Sequence, residues 1–186
     1  MALLGYTLDA VRGRCRARLA AWLGLSVGVG AQIHPGARLR FSADAGSVLG
    51  SRSIVYRDVQ ILATGRGHFS IGARSHIAPG GYLLVGGQRL SIGDDAALGP
   101  GLMLFCESNA VTSPGLFREH YERADVLIGS NVFIGARVTV LPGAVIEDDV
   151  VVAAHSVVRG RLASGWVYGG APARALRRID SPGKPA

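Results

Sequence analysis

Between Val126 and Val158 the chain reads VLIGSNVFIGARVTVLPGAVIEDDVVVAAHSVV, and its branched apolar residues keep one beat. Ile128, Ile134, Val140, Ile146, Val152 and Val158 stand six residues apart. A second small or branched residue precedes most of them by two: Val132, Val138, Ala144, Val150 and Ser156. A helix needs a period near 3.6 and a lone strand a period of 2, whereas six suits a short strand plus a corner, repeated. Three such units close one triangular turn of chain, and successive turns bury their inward residues on one another. Gly129, Gly135 and Gly143 stand where corners need positive φ or close backbone approach. The pattern predicts the core of a β-helix.

The same beat reaches back through the chain. It runs through Val27, Ile33 and Leu39, then Val48 and Ile54 after a break, and a ragged patch follows through Gln60 and Gly67. It returns at Ile71, Ile77 and Leu83, and again at Ile92, Leu98 and Leu104 after a Gly86-Gly87 bulge. Since the periodicity resumes after each interruption, residues 25–158 form one β-helical unit. Residues 105–125, FCESNAVTSPGLFREHYERAD, abandon the pattern, and so long a segment in a compact repeat predicts a protruding, functional loop.

Ahead of the repeat, residues 1–24 read as an amphipathic helix. Leu4, Leu8, Val11, Cys15, Leu19 and Leu23 fall at helical spacing with arginines on the other faces, and Gly24 ends it. Three readings compete: a cap on the first coil, which a solenoid needs, a helix lying on an anionic membrane surface, and a signal peptide. The cap is favoured, with membrane contact as its companion, and the signal peptide is weakest because the repeat begins inside the apolar segment. After Val158 the beat stops, so residues 159–186 read as a basic tail wrapping over the outer face, with an unstructured end at 181–186.

Composition narrows the choice. A chain of 186 residues, 48% hydrophobic, can bury one real core. No apolar run reaches the roughly 18 residues of a membrane span. Cys15 and Cys106 match no metal spacing and read as reduced thiols of a cytoplasmic protein. The net charge of +7 gathers at the two ends. Arg12, Arg14, Arg16 and Arg18 oppose Asp9 in the first segment, and Arg159, Arg161, Arg174, Arg177, Arg178 and Lys184 oppose Asp180 in the last. A nucleic-acid binder spreads basic residues along a face with aromatics between them. Two local basic ends point instead to a phosphate-bearing ligand and a surface contact.

The repeat resembles the hexapeptide-repeat acyltransferases, and the resemblance runs on through GRLASGWVYGGAPARALRR. There Gly170, Ala171, Pro172, Ala173 and Arg174 look like the family's closing Gly-x-Pro-Ala-basic motif. The pattern is most similar to galactoside, maltose and capsule-sugar O-acetyltransferases. The resemblance implies a left-handed parallel β-helix, a hand that the right-handed crossover rule does not foresee. It also implies a homotrimer that transfers acetyl from acetyl-coenzyme A to a sugar hydroxyl, on a surface-polysaccharide precursor, in a groove between subunits. Gly135, Ala136, Ala153 and Ala154 would then line the pantetheine groove, while Arg159, Arg174 and Arg177 would meet the adenine end or its phosphates. No zinc is implied, since no two of the five histidines have the five-residue spacing of the related γ-class carbonic anhydrases.

The catalytic side departs from that pattern. Gly99 and Pro100 open the segment that in relatives ends Thr-x-Thr-His, but here it ends Cys106-Glu107-Ser108-Asn109. Asn109 stands at the histidine position, and an amide cannot take a proton from the attacking hydroxyl. Glu107, on the same side of an extended strand, is the first substitute; His120, within the loop, is the second. Two alternatives stay open: a non-catalytic β-helix that binds coenzyme A or a partner, and an N-acetyltransferase of an amino-sugar nucleotide.

Overall fold

The computed structural model describes residues 2–110 and 115–179, with side chains from Leu8 onward. The expected unstructured end at 181–186 lies outside the described residues. Helix α1 (Ala2–Trp22) leads into a parallel β-helix with three faces. The first face stacks seven strands, from Ser26–Val27 through His68–Ile71 and Val126–Ile128 to Arg161–Leu162. The second runs in parallel from Gln32–Ile33 through Ala97–Leu98 and Phe133–Ile134 to Trp166–Gly169, and Arg174–Arg178 closes it as an antiparallel last strand. The third stacks Arg38–Arg40, Gln60–Ala63, Tyr82–Gly86, Met103–Phe105, Thr139–Val140 and Val157–Val158.

In the late coils the inward residues are those the beat names. Ile134, Val140, Ile146, Val152 and Val158 are buried, as are Val132, Val138, Ala144, Val150 and Ser156 two places before them. Each strand contributes an inward residue to a column repeated coil after coil, so the core is continuous from Leu25 to Tyr168. At one corner Arg52, Arg74, Asp95, Asn131 and Asp149 all take positive φ, and Arg137 and His155 do so at the next. His155 is exposed at its corner. Gly143 has φ +76, but Gly129 and Gly135 serve the other purpose, close approach of the coil below.

Three expectations change. In the second coil Leu49 and Val55 are inward, not Val48 and Ile54, and the supposedly ragged patch carries the next inward residue, Ile61. A 3-10 turn at Ala43–Ala45 inserts the offset, and both columns are apolar, so six-residue spacing alone cannot choose between them. The solenoid does not stop at Val158, because Arg161–Leu162 pairs with Val145–Ile146 and Val167–Tyr168 with Val151–Val152. The tail then folds back as a hairpin strand, Trp166 opposite Arg178, with the Arg178 guanidinium over the Trp166 ring at 5.0 Å.

The third change concerns α1. It packs on the first coil, but through its small residues. Ala17 is buried with Ala31, Ile33 and Ala37. An added Cβ on Gly13 would lie 3.1 Å from the His34 ring and 3.2 Å from Gln32. Polar ties fix the seat: Arg57 Nη2 donates to Asp9 Oδ2 at 2.8 Å, and Arg16 Nη2 donates to the Ala37 carbonyl at 2.8 Å. Inward residues as small as Ala31 and Ala37 leave room for a helix only if its own contact face is small.

Candidate functional site

The segment expected as an open loop starts later than position 105 and is partly a hairpin. Phe105 still pairs with Leu84, and Cys106 is buried, its amide bonded to the Leu84 carbonyl. Burial pushes the Cys106 thiol up to about 12, which keeps it protonated and unreactive. Glu107–Asn109 then pairs antiparallel with Tyr121–Arg123, with Glu107 opposite Arg123 and Asn109 opposite Tyr121. The chain re-enters the solenoid at Ala124, whose amide bonds the Cys106 carbonyl, and at Asp125, which pairs with Arg89 at 3.3 Å.

Each of the three residues weighed for catalysis has a definite place here. Glu107 Oε2 lies 3.5 Å from Arg123 Nε, and its carboxylate packs over Gly86, where an added Cβ would come within 2.6 Å of it. Asn109 Nδ2 donates to the Phe117 carbonyl at 3.0 Å and so holds the 3-10 turn Phe117–Glu119 against the hairpin. His120 caps that turn, its amide bonding the Phe117 carbonyl and its carbonyl accepting from Ala110. By strand alternation Glu107 and Asn109 share one face of the hairpin with Tyr121 and Arg123, while His120 belongs to the opposite face. The hairpin therefore does not bring Glu107 and His120 to one point.

At the end of the third face lies a cleft of about 500 Å³, lined by Leu141, Val157, Arg159, Ala171, Pro172 and Arg174. Its floor is apolar, made by the outward side chains of two stacked strands. Its roof is the turn between the last two strands, held by Val157: the Val157 amide donates to the Gly170 carbonyl, and the Ala173 amide donates to the Val157 carbonyl. Two guanidiniums border it. Arg174 Nη1 reaches only the Ala173 carbonyl, at 3.2 Å, and neither Arg159 nor Arg174 forms an ion pair with a carboxylate among the described residues. Uncompensated positive charge beside an apolar floor suits a ligand with an anionic group and an apolar arm.

Register places hairpin and cleft on the same face. Leu104 pairs with Val140 and Val140 with Val158, so Phe105, Leu141 and Arg159 stand in line one residue further on. Two strand spacings separate the hairpin's base from Arg159, about 10 Å. Of the residues expected to hold cofactor, Arg159 and Arg174 share this cleft. Ala136, Ala153 and Ala154 form the corner between the second and third faces, with His155 bonded to the Ala136 carbonyl. Gly135 is buried, and an added Cβ would sit 2.5 Å from the Ala154 nitrogen, so its smallness serves coil stacking. Arg177 lies on the last strand opposite Val167 and does not line the cleft. Leu141 and Val157 were missed by sequence reasoning; their signal was position, one residue to either side of inward Val140 and Val158.

Fold and cleft together define a β-helical protein with a basic-rimmed, apolar groove on its outer wall. Residues 125–160 match the bacterial transferase hexapeptide (six repeats) family. It is 38% identical over 78 residues to the putative lipopolysaccharide biosynthesis O-acetyl transferase WbbJ of Escherichia coli, covering 41% of this chain and 40% of that protein. It is 29% identical over 122 residues to the galactoside O-acetyltransferase of the same organism, covering 63% and 60%. The matched parts are thus between two and three fifths of those relatives' lengths. The N-acyltransferase AntD of Bacillus cereus, solved with dTDP and coenzyme A, superposes with a TM-score of 0.75 at 23% identity over 88% of this chain and 89% of its own. A Vibrio cholerae hexapeptide-repeat acetyltransferase solved with acetyl-coenzyme A gives 0.64 at 23% identity, over 89% and 77%.

Proposed function

We propose that the protein is an acyltransferase that takes acetyl from acetyl-coenzyme A and delivers it to a sugar hydroxyl, in an assembly whose grooves are shared between subunits of a homotrimer. The observation that carries this reading is the Arg159–Arg174 cleft, about two strands below the hairpin on the same outer face. The phosphates sit between the two guanidiniums and the apolar arm runs over Leu141 and Val157, past the Ala136–Ala154 corner. Relatives that carry O-acetyltransferase names support oxygen as the acceptor atom. The N-acyltransferase name of the structural neighbour, solved with dTDP and coenzyme A, keeps amino-group transfer as the nearest variant of the same chemistry. A polysaccharide precursor as the acceptor, and action at the cytoplasmic side, follow from the same resemblance.

The acceptor hydroxyl needs a base, and the hairpin offers two groups able to take a proton. Glu107 is ion-paired with Arg123 and packed over Gly86, and we assign the role to His120, since imidazole is the commonest general base. Asn109 holds the turn that presents His120. A second reading, binding of coenzyme A without transfer, is favoured by one observation, the amide at position 109.

The test separates the two. Arg159→Ala with Arg174→Ala should weaken acetyl-coenzyme A binding about tenfold or more in calorimetry, less so at high salt. His120→Ala should lower kcat about 10²–10⁴-fold while leaving that affinity alone. Loss of activity in Glu107→Gln but not in His120→Ala would move the base to Glu107. Binding without turnover on any sugar acceptor would establish the second reading.

A further inference from the structure

Helix α1 turns its largest apolar side chains away from the protein. At about 100° per residue, Leu8, Val11, Cys15, Leu19 and Trp22 form one ridge, and Gly13, Ala17 and Ala20 form the opposite side, seated on the first coil. Leu8 is 50% exposed, Val11 47%, Leu19 59%, Leu23 54% and Trp22 83%, whereas Ala17 is 1% exposed. The same spacing sets Arg12 and Arg16 on one shoulder of the ridge and Arg14 and Arg18 on the other. Arg14 and Arg18 border a cleft of about 290 Å³ between α1 and the first coil. At its rim stands Val29, itself 86% exposed.

Something apolar must cover this ridge, and the arginines say what. A second copy laid ridge to ridge would bring the basic shoulders of two helices together, and like charges in contact oppose that pairing. The basic last segment of this chain is repelled for the same reason. A lipid surface satisfies both features: the ridge enters the acyl boundary while the arginines keep their charge among anionic headgroups. No described helix is long and apolar enough to cross a membrane, so α1 lies on the surface.

We propose that the exposed Leu8–Trp22 ridge of α1, with Val29 beside it, docks the protein peripherally on an anionic membrane, with the Arg12, Arg14 and Arg18 side chains reading the lipid phosphates. This does not rest on the chemistry at the Arg159–Arg174 cleft. It gives the second basic end of the chain a function and brings the solenoid to a surface where a lipid-borne acceptor would be held.

Flotation of the full chain with vesicles tests it. Phosphatidylcholine vesicles containing about one third phosphatidylglycerol should carry the protein upward at low salt, and pure phosphatidylcholine should not. Leu19→Ser with Trp22→Ser should reduce the bound fraction about tenfold or more, and Arg12→Gln with Arg14→Gln and Arg18→Gln should reduce it to a similar or greater extent at low salt. These positions are exposed, so circular dichroism should be unchanged, and Arg16, which holds Ala37, is left in place. In a Trp166→Phe background the emission of Trp22 should shift to the blue on anionic vesicles. Three results would overturn the proposal. One is no flotation of the wild type on either vesicle. Another is equal flotation on both, insensitive to the arginines. The third is a fall in sedimentation mass when the ridge is changed, without vesicle binding, which would make the ridge a subunit contact.

Discussion

Replacing Gly135 with alanine distinguishes a stacking role from a ligand-binding one. An added Cβ would stand 2.5 Å from the Ala154 nitrogen and 2.8 Å from its Cα, and 3.0 Å from the Ala153 carbonyl carbon. These are backbone atoms of the next coil, where the Ala153 amide donates in turn to the Tyr168 carbonyl, so no side chain can swing aside to make room. The coils must separate locally by roughly half an ångström or more, in an interior where small expansions are felt at once. Overpacking of this kind costs about 1–3 kcal/mol, and a backbone clash belongs near the upper end. At about 2–4 °C per kcal/mol for a domain of this size, that lowers Tm by about 4–12 °C. Gly87 is the internal control, since an added Cβ there meets nothing within 4 Å. Gly87→Ala should be neutral or raise stability by about 0.4–1 kcal/mol through the unfolded chain. Differential scanning calorimetry should therefore show a lowered Tm for Gly135→Ala and an unchanged or raised Tm for Gly87→Ala. A Gly135→Ala protein with unchanged Tm but weakened acetyl-coenzyme A affinity would refute the stacking argument and return Gly135 to the groove.

Two further outcomes follow from titrating groups. Iodoacetamide at pH 8 should label the exposed Cys15 and leave Cys106 unmodified in the native protein, with mass spectrometry reading one adduct; two adducts without denaturant would contradict the raised thiol pKa of about 12. Burial lowers the pKa of His34, with Asp9 opposing and Arg57 assisting, and burial alone lowers that of His76. The unfolded chain then binds more protons than the folded one, so this stability is fully present above the ordinary histidine value of about 6.5 and lost as pH falls through the lower folded values. Thermal melts of wild type should drop between pH 7.5 and 5, and a His34→Gln, His76→Gln variant should drop less; parallel profiles would count against it.

How much of this was legible depends on how many columns were apolar. In the late coils Val145-Ile146, Val151-Val152 and Val157-Val158 are doubly apolar too, but the beat is unbroken and a small or branched residue stands two places before each inward one, so inward and outward positions separate from Val126 to Val158. In the second coil Val48-Leu49 and Ile54-Val55 are doubly apolar, and a one-residue shift in a strand reverses every side chain. The deciding signal was present in the smaller residues: Ser47, Ser53 and Val59 are buried two places before Leu49, Val55 and Ile61. For α1 the rule that apolar faces point inward failed. The first coil presents alanines, and close approach there selects Gly13 and Ala17 over leucines. Within the site, the basic ending was readable from the Gly-x-Pro-Ala-Arg motif. The cleft floor was not, because it is built of outward residues that no periodicity marks.

The hairpin shows why its interior resisted reading and why its position did not. The beat runs in phase across the insertion: from Leu104 the next sixes fall on Ala110, Leu116, Glu122 and Ile128. A coil built on that phase would aim Glu122 at the core without a partner, and burying an unpaired carboxylate is far less favourable than leaving the solenoid. The chain leaves instead. Val126–Ile128 stacks directly on Leu90–Ile92, and Glu122 lies exposed on the hairpin opposite Ser108. An insertion that returns in phase leaves the coils above and below in contact, so the hairpin is carried by a stack that does not depend on its sequence. That independence is what lets position 109 hold an asparagine, and Glu107 an arginine partner, while the Arg159–Arg174 cleft two strands below keeps its register.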